Sequence, residues 1–413
     1  MMRNHMALRA VAGALLCLSS TTAGADTITL DAALARAAKR PAVAIAGTEV
    51  DATRSEVIGA RSPTYNPELG VSIGPKRSGG DTLLAFEVGL FQTIERGGKR
   101  AARREAAEAR VRAATAELEL ATLLAQLDAW RTFELALVAR ARLATATEAE
   151  QLAIEVATAN QDSQALGAGT QLRVNVATAE VGRARHERID AENRYERALA
   201  ELATTIGVGA RERAEPTGTF AAAPTMPWTE DEFVAQALDA RPELMAATAR
   251  LEAARGEVHL ANALAQPDLT LGINYGFDQD PDVTNHALLF SASIALPVRN
   301  RNQGARGAAR ARERRADLGA SQARIEVERE ARLAFQTYLR ARAAVLGYDA
   351  DVNERLHDNL ALARASFTSG KIDYFEFSVV RRELVASGFA YLDAVAEATE
   401  AWYAVQRAGG VRK

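Results

Sequence analysis

The chain says nearly the same thing twice. Arg40-Pro41 returns as Arg241-Pro242, Glu56-Val57 as Glu257-Val258, and Asn66-Pro67-Glu68-Leu69 as Gln266-Pro267-Asp268-Leu269. The stretch Gly97-Gly98-Lys99-Arg100 returns near Gln303-Gly304-Ala305-Arg306, and Gly169 returns as Gly370. These landmarks keep their order at offsets of 200 to 206 residues, which chance explains poorly. Each copy sets one β-hairpin pattern among long helices. Two hairpins supply four strands, too few to close a barrel within one chain. The pattern therefore predicts an oligomer in which several chains share one barrel.

The hairpin patterns are read from alternation. In the first copy, residues 67–94, Leu69, Val71 and Ile73 alternate with Gly70, Ser72 and Gly74. Gly74 to Asp81 is turn-rich, and Leu84, Phe86, Val88 and Leu90 alternate after it. In the second, residues 267–297, Leu269, Leu271, Ile273 and Tyr275 alternate, then Leu288, Phe290, Ala292, Ile294 and Leu296 up to Pro297. One-sided apolar alternation over ~9–11 residues suits a strand with lipid on one face and water on the other. A hairpin packed on a soluble core would read the same way, but two isolated hairpins are marginally stable in water.

The rest reads as helix. Thr29 to Ala60 is predicted as one helix, and Gly98 to Asn160 contains no proline. About 60 helical residues would span ~90 Å, longer than an ordinary domain. Helix is predicted again over 171–206, 303–366 and 371–405. The chain is 48% hydrophobic with only 6% aromatics, and alanine fills much of the helical sequence, which favours close helix pairing. Gly207 to Trp228 is rich in Gly, Pro and Ala and is the one linker-like stretch. The expected organisation is a first repeat over 26–206, a linker over 207–228 and a second repeat over 229–413.

Residues 1–25 read as a signal peptide. Arg3 and Arg9 are followed by an apolar run from Ala10 to Leu18 and by Ala23-Gly24-Ala25. Cys17, the sole cysteine, follows Leu16, where a lipidated cysteine would follow a small residue. No later segment is long and apolar enough for a transmembrane helix. The five histidines form no short ligand spacing with Asp or Glu, and no nucleophile, zinc or phosphate-loop motif occurs. No metal, cofactor, nucleic acid or enzymatic activity is expected.

Three motifs converge on a family resemblance. They are Asn66-Pro-Glu-Leu leading a strand, Phe91-Gln-Thr-Ile-Glu-Arg-Gly-Gly-Lys-Arg100 leaving one, and Phe367-Thr-Ser-Gly-Lys-Ile-Asp-Tyr-Phe-Glu376 at a helical hairpin. With Leu296-Pro-Val-Arg-Asn-Arg-Asn-Gln-Gly304, they resemble the TolC-like outer membrane efflux proteins, most of all the heavy-metal branch. The resemblance spans residues 27 to 407. It implies a mostly α chain with a small β part. Its helices would form a long tunnel, and its four strands would join a trimeric twelve-stranded outer membrane barrel. It also implies a homotrimer working with a periplasmic adaptor and an inner-membrane pump of the resistance–nodulation–division class. The expected cargo is heavy-metal cations. The residues alone leave open a channel for drugs or secreted proteins, and a soluble periplasmic adaptor or scaffold.

Candidate sites follow from both readings. The helical hairpin tips at Gly167, Gly169 and Thr170, and at Ser369, Gly370 and Lys371, are expected to touch the adaptor. Glu376 is the candidate pore acid, with Asp373 one turn nearer the tip and Asn175 as its first-repeat counterpart. Three copies of Glu376 would ring the pore and favour cations. Tyr65 and Phe91 are candidates for an aromatic belt. Arg96, Lys99, Arg100, Arg299 and Arg301 are candidates for meeting anionic headgroups or, more plainly, for a solvated helix face.

Overall fold

The computed structural model describes residues 26–78, 80–209, 213–221, 223–279, 284–348 and 356–410. The signal-peptide expectation falls on residues 1–25, outside the described residues. Strand β1 (Asp26–Ile28) leads into α1 (Leu30–Ala37) and α2 (Pro41–Arg61). Then come β2 (Glu68–Ser78), β3 (Asp81–Ile94), α3 (Lys99–Ala165), α4 (Gln171–Thr205) and β4 (Ala214–Pro216). The second half holds α5 (Glu230–Ala240), α6 (Pro242–Ala263), β5 (Leu269–Gln279) and β6 (Thr284–Ile294). Helices α7 (Gln303–Gly347), α8 (Leu356–Thr368) and α9 (Tyr374–Gly409) complete it.

Strands β2, β3, β5 and β6 form one antiparallel sheet in that order. The register sorts its two faces. Leu69, Leu90, Ile273 and Phe290 lie in one row, with Val71, Val88, Tyr275 and Leu288 in the next. The opposite face carries Gly70, Gly89 and Asn274, then Ser72, Glu87 and Gly276. The apolar face is bare: Leu69 is 72% exposed and Phe290 77%. Such a face is costly in water and satisfied in hydrocarbon. β2 extends through Pro75-Lys76-Arg77, residues that read in sequence as turn. As an outer strand, β2 accommodates Pro75 without losing a central ladder bond.

Helix α3 runs for 67 residues, roughly 100 Å at 1.5 Å per residue. It packs against α2 on one side and α6 on the other, and α6 in turn packs against α7. Alanine makes this possible. Ala106, Ala109, Ala113, Ala125 and Ala129 are all buried along α3. At the α3–α6 contact a Cβ added to Gly256 would lie 3.0 Å from the Ala106 Cα, so the helices touch backbone to backbone.

Two expectations change here. The single helix predicted over 29–60 is two, because Arg40 takes an extended conformation before Pro41 and α2 restarts at the proline. The described residues of the linker-like stretch from 213 onward are built onto the helices. β4 pairs in parallel with β1, Arg140 donates to the Pro216 and Gly218 carbonyls (both 2.6 Å), and buried Glu134 accepts from the Ala221 amide at 3.0 Å. Phe233, Tyr338 and Trp402 form a core with Met226 and Trp228 packed against it.

Gly256→Val forces branched volume into the α3–α6 contact. The expected loss is about 1–3 kcal/mol of overpacking, read as a lower thermal unfolding midpoint in detergent. Gly47→Val, where an added Cβ meets nothing within 4 Å, is the matched control.

Candidate functional site

The sheet meets the helices through a compact polar cluster. Asp268, just before β5, accepts from Lys99 Nζ at 2.8 Å, from the Arg96 amide at 3.1 Å and from the Tyr65 hydroxyl at 3.1 Å. Burial works against the Asp268 charge, but Lys99 and the two other donors hold its carboxyl below the usual range. The bond to Asp268 pushes the Tyr65 hydroxyl up. Glu95, just past β3, accepts both arms of Arg103 (2.6 and 3.1 Å) and the Thr64 hydroxyl at 2.7 Å. Arg103 brings the Glu95 carboxyl down to about 2. A residue of the second repeat thus clamps the exit from the first hairpin.

This geometry corrects part of the basic-cluster expectation. Lys99 is buried in its pair with Asp268 and is not available to headgroups. Arg100 donates to the Arg61 carbonyl at 2.8 Å and serves the α2–α3 contact. Arg96, Arg299 and Arg301 are exposed, with Arg301 also donating to the Pro297 carbonyl at 3.2 Å. The aromatic expectation changes too. Phe91 sits in register with Glu68 and Gly272, on the glycine- and serine-rich face. Its ring lies over Gly70, Gly89 and Gly272, where added Cβ atoms would come within 3.3, 2.8 and 2.6 Å of it. The aromatic side chains on the apolar face are Phe86, Tyr275, Phe277 and Phe290, with the Tyr275 hydroxyl 2.6 Å from His286 Nδ1. Period-two counting from Leu90 would have put Phe91 on the other face.

At the far end, both helical hairpins turn through the same cap. Gly167 (φ +78°) and Gly370 (φ +72°) are left-handed. In the first turn the amides of Gly167 and Ala168 donate to the Gln164 and Ser163 carbonyls. In the second, Gly370 and Lys371 donate to Phe367 and Ser366. The counterpart of Gly370 is therefore Gly167. Gly169, matched to it in sequence, is needed for another reason: a Cβ there would meet the Gln164 backbone nitrogen at 2.8 Å. Thr170 caps α4 through the Arg173 amide, and Asp373 caps α9 by accepting from the Glu376 amide at 2.8 Å. Counted from the caps, Arg173 stands where Glu376 stands. Asn175 lies half a turn further on and accepts from Gln171 at 2.9 Å. Glu376, Ser369 and Lys371 are exposed.

Behind the tips lies a charged pair that sequence reading passed over. Arg381 of α9 donates to Glu180 of α4 at 2.8 Å, with side-chain exposures of 8% and 15%. It sits among Tyr374, Phe377, Val385 and residues of α3 and α8. The Tyr374 hydroxyl is buried with no hydrogen-bond partner among the described residues, and burial pushes it up. The signal was present: Phe377, Arg381 and Val385 share one helix face at four-residue spacing, so a charge interrupts an apolar stripe. Among the described residues, no three His, Cys, Asp or Glu side chains gather to hold a metal ion, and no helix is long and apolar enough to cross a membrane.

Two outcomes follow. Glu95 stays charged in the folded protein down to about pH 2, whereas its ordinary value is 4.5. Its contribution is complete above pH 4.5 and fades as pH falls towards 2. Glu95→Gln removes that part of the acid sensitivity in pH-dependent thermal melts. Arg381→Met leaves the mostly buried Glu180 with only the exposed Arg183 (3.0 Å) as a partner, and the expected cost is about 1–3 kcal/mol. Adding Glu180→Gln recovers most of that loss in the same assay.

The comparisons with known proteins agree with this architecture. The family model for outer membrane efflux proteins matches residues 31–208 and again 233–411. The cobalt-zinc-cadmium resistance protein CzcC of Cupriavidus metallidurans is 26% identical over 389 residues, covering 93% of this chain and 90% of that protein. Among solved structures, CusC superposes with a TM-score of 0.71 at 17% identity, over 92% of both chains. The outer membrane protein VceC of Vibrio cholerae gives 0.68 at 19% identity, over 92% of this chain and 96% of that one. With the family model matched across most of its length, this chain belongs to the outer membrane efflux protein family.

Proposed function

We propose that the protein is the outer membrane conduit of a three-part efflux system exporting divalent heavy-metal cations. The observation that carries the reading is the sheet. It has one face mostly apolar and largely exposed, broken by Gln92 and His286, an opposite face rich in glycine, serine and polar side chains that also carries Phe91 and Leu289, and two outer strands each with a single neighbour among the described residues. Three copies would supply twelve strands and close a barrel with lipid outside and water within. The long helices would continue the passage through the periplasm. A periplasmic adaptor would engage the tips around Gly167, Gly169 and Thr170 and around Ser369, Gly370 and Lys371. An inner-membrane pump of the resistance–nodulation–division class would supply the energy. The metal cargo is supported by the similarity to the cobalt-zinc-cadmium resistance protein.

The protein's own contribution to transport is electrostatic and steric. Glu376 is exposed in the first turn of α9 beside the tip, and threefold repetition would place a ring of carboxylates at the narrow end. Such a ring favours cations and opposes its own closure. Arg173, at the matching place of the other hairpin, would offset part of that charge.

Purified protein in a planar bilayer is expected to insert as trimers and conduct cations preferentially. Glu376→Gln should weaken that preference several-fold without abolishing conductance. A chain that never inserts would sink the channel reading. Unchanged selectivity would remove the carboxylate ring alone. Deletion of the gene should lower tolerance to cobalt, zinc or cadmium, and unaltered tolerance to all three would redirect the cargo assignment.

A further inference from the structure

The repeat makes the edge of this chain readable from its middle. Contacts inside each repeat match at fixed offsets. The α2–α3 pair of Arg40 with Asp128 (3.5 Å) returns as the α6–α7 pair of Arg241 with Glu330. Arg110 with Glu56 (3.0 Å) returns as Arg312 with Glu257 (3.8 Å). Residues of α2 thus map onto α6 at 201, and residues of α3 onto α7 at 202.

Across the middle of the chain, α3 of one repeat meets α6 of the other. There Arg110 also donates to Glu257 at 3.1 Å. The result is a chain of alternating charge, Glu56–Arg110–Glu257–Arg312, in which Arg110 binds two carboxylates and Glu257 binds two guanidiniums through different oxygens. Among the described residues it stops at both ends. Glu56 uses one oxygen and Arg312 one nitrogen. The inner members are the more covered, with side-chain exposures of 40% for Arg110 and 28% for Glu257 against 53% for Glu56 and 68% for Arg312.

We propose that a second copy of this chain closes the break, with Arg312 of one copy binding Glu56 of the next. The inference rests on the trimer reading above and names the seam it requires. Arg312 is the equivalent of Arg110, and Glu56 is the equivalent of Glu257. The missing contact is therefore the 3.1 Å contact already formed once within the chain, repeated between α7 and α2 of neighbouring copies. In a closed trimer every Arg110 and Arg312 would bridge two carboxylates, giving an unbroken belt around the helical tunnel. The surrounding faces fit. Where Ala106 and Gly256 meet closely, the equivalents on the open faces are Ala308 and Ser55, both small and both exposed. Leu123 is buried on α3, while its counterpart Ile325 on α7 is bare.

The two ends cannot close on each other within one chain. They lie on the outer members of the row α2–α3–α6–α7, three interhelix spacings of about 8–10 Å apart. The test is the double variant Glu56→Cys with Arg312→Cys in a Cys17→Ser background, treated in detergent with a short bis-thiol crosslinker. The expected result is a ladder of covalent dimers and trimers on denaturing gels. Arg110→Cys with Glu257→Cys should crosslink within the chain and give no ladder. Separately tagged Glu56→Cys and Arg312→Cys chains, co-expressed, should form a mixed-tag dimer. If the variants remain trimeric by light scattering, the within-chain control reacts, and neither ladder nor mixed dimer appears, the belt is overturned and the channel stands. If the wild-type chain is monomeric by light scattering, the belt and the trimer fall together.

Discussion

Backbone hydrogen bonding cannot be left open in hydrocarbon, and the four-stranded sheet leaves it open on both sides. Among the described residues β3 and β5 are flanked on both sides, while β2 and β6 each have one neighbour. In a membrane each unpaired amide or carbonyl costs several kcal/mol, so an open sheet with a lipid-facing side chain pattern is stable only when closed. The shape of everything else answers to that closure. The helices must leave the sheet at a fixed angle from every strand, or the circle of strands cannot meet the circle of helices.

The Asp268 and Glu95 clusters sit at that change of architecture. Strand spacing is ~4.8 Å and helix spacing 8–10 Å, so chain directions must shift within a few residues. A left-handed pair, Gly97 and Gly98, makes the shift in the first repeat, and Asn302 at φ +56° makes it in the second. Asp268 ties the two repeats together there, by gripping a lysine, an amide and a tyrosine of the first. The helical end is secured differently, by burying the Arg381–Glu180 pair among aromatic and aliphatic side chains. A buried ion pair adds little net stability but strongly fixes alignment, because either partner alone is costly.

Much of the fold was legible because it rests on periodicity. Alternation located the hairpins, proline-free alanine-rich stretches located the long helices, and the repeat set them in order. Boundaries set by local chemistry were less legible. β2 runs through Pro75, which looks like a turn until one knows that the strand is at an edge. The break at Arg40-Pro41 went unread although the proline announced it. Of the candidate site residues, Glu376 and the tip residues Ser369 and Lys371 are exposed where a partner or pore could meet them. Lys99 and Phe91 are committed elsewhere, and Gly169 proved to be a packing glycine beside the left-handed Gly167.

The sequence by itself determined which elements exist, which face of each strand is apolar and that the chain is a duplicated unit, since these depend on residues a few positions apart. Tertiary structure decided which charges are spent and which remain. Lys99 and Asp268 are 169 residues apart, Arg381 and Glu180 are 201 apart; no local pattern names the partner in either pair, and none sets Lys99 apart from a solvated neighbour such as Arg96. Burial and partner choice are properties of the packed chain. A two-residue difference in the offset of the repeat exchanges Asn175 for Arg173 as the counterpart of Glu376, and only the caps of the folded helices fix that offset.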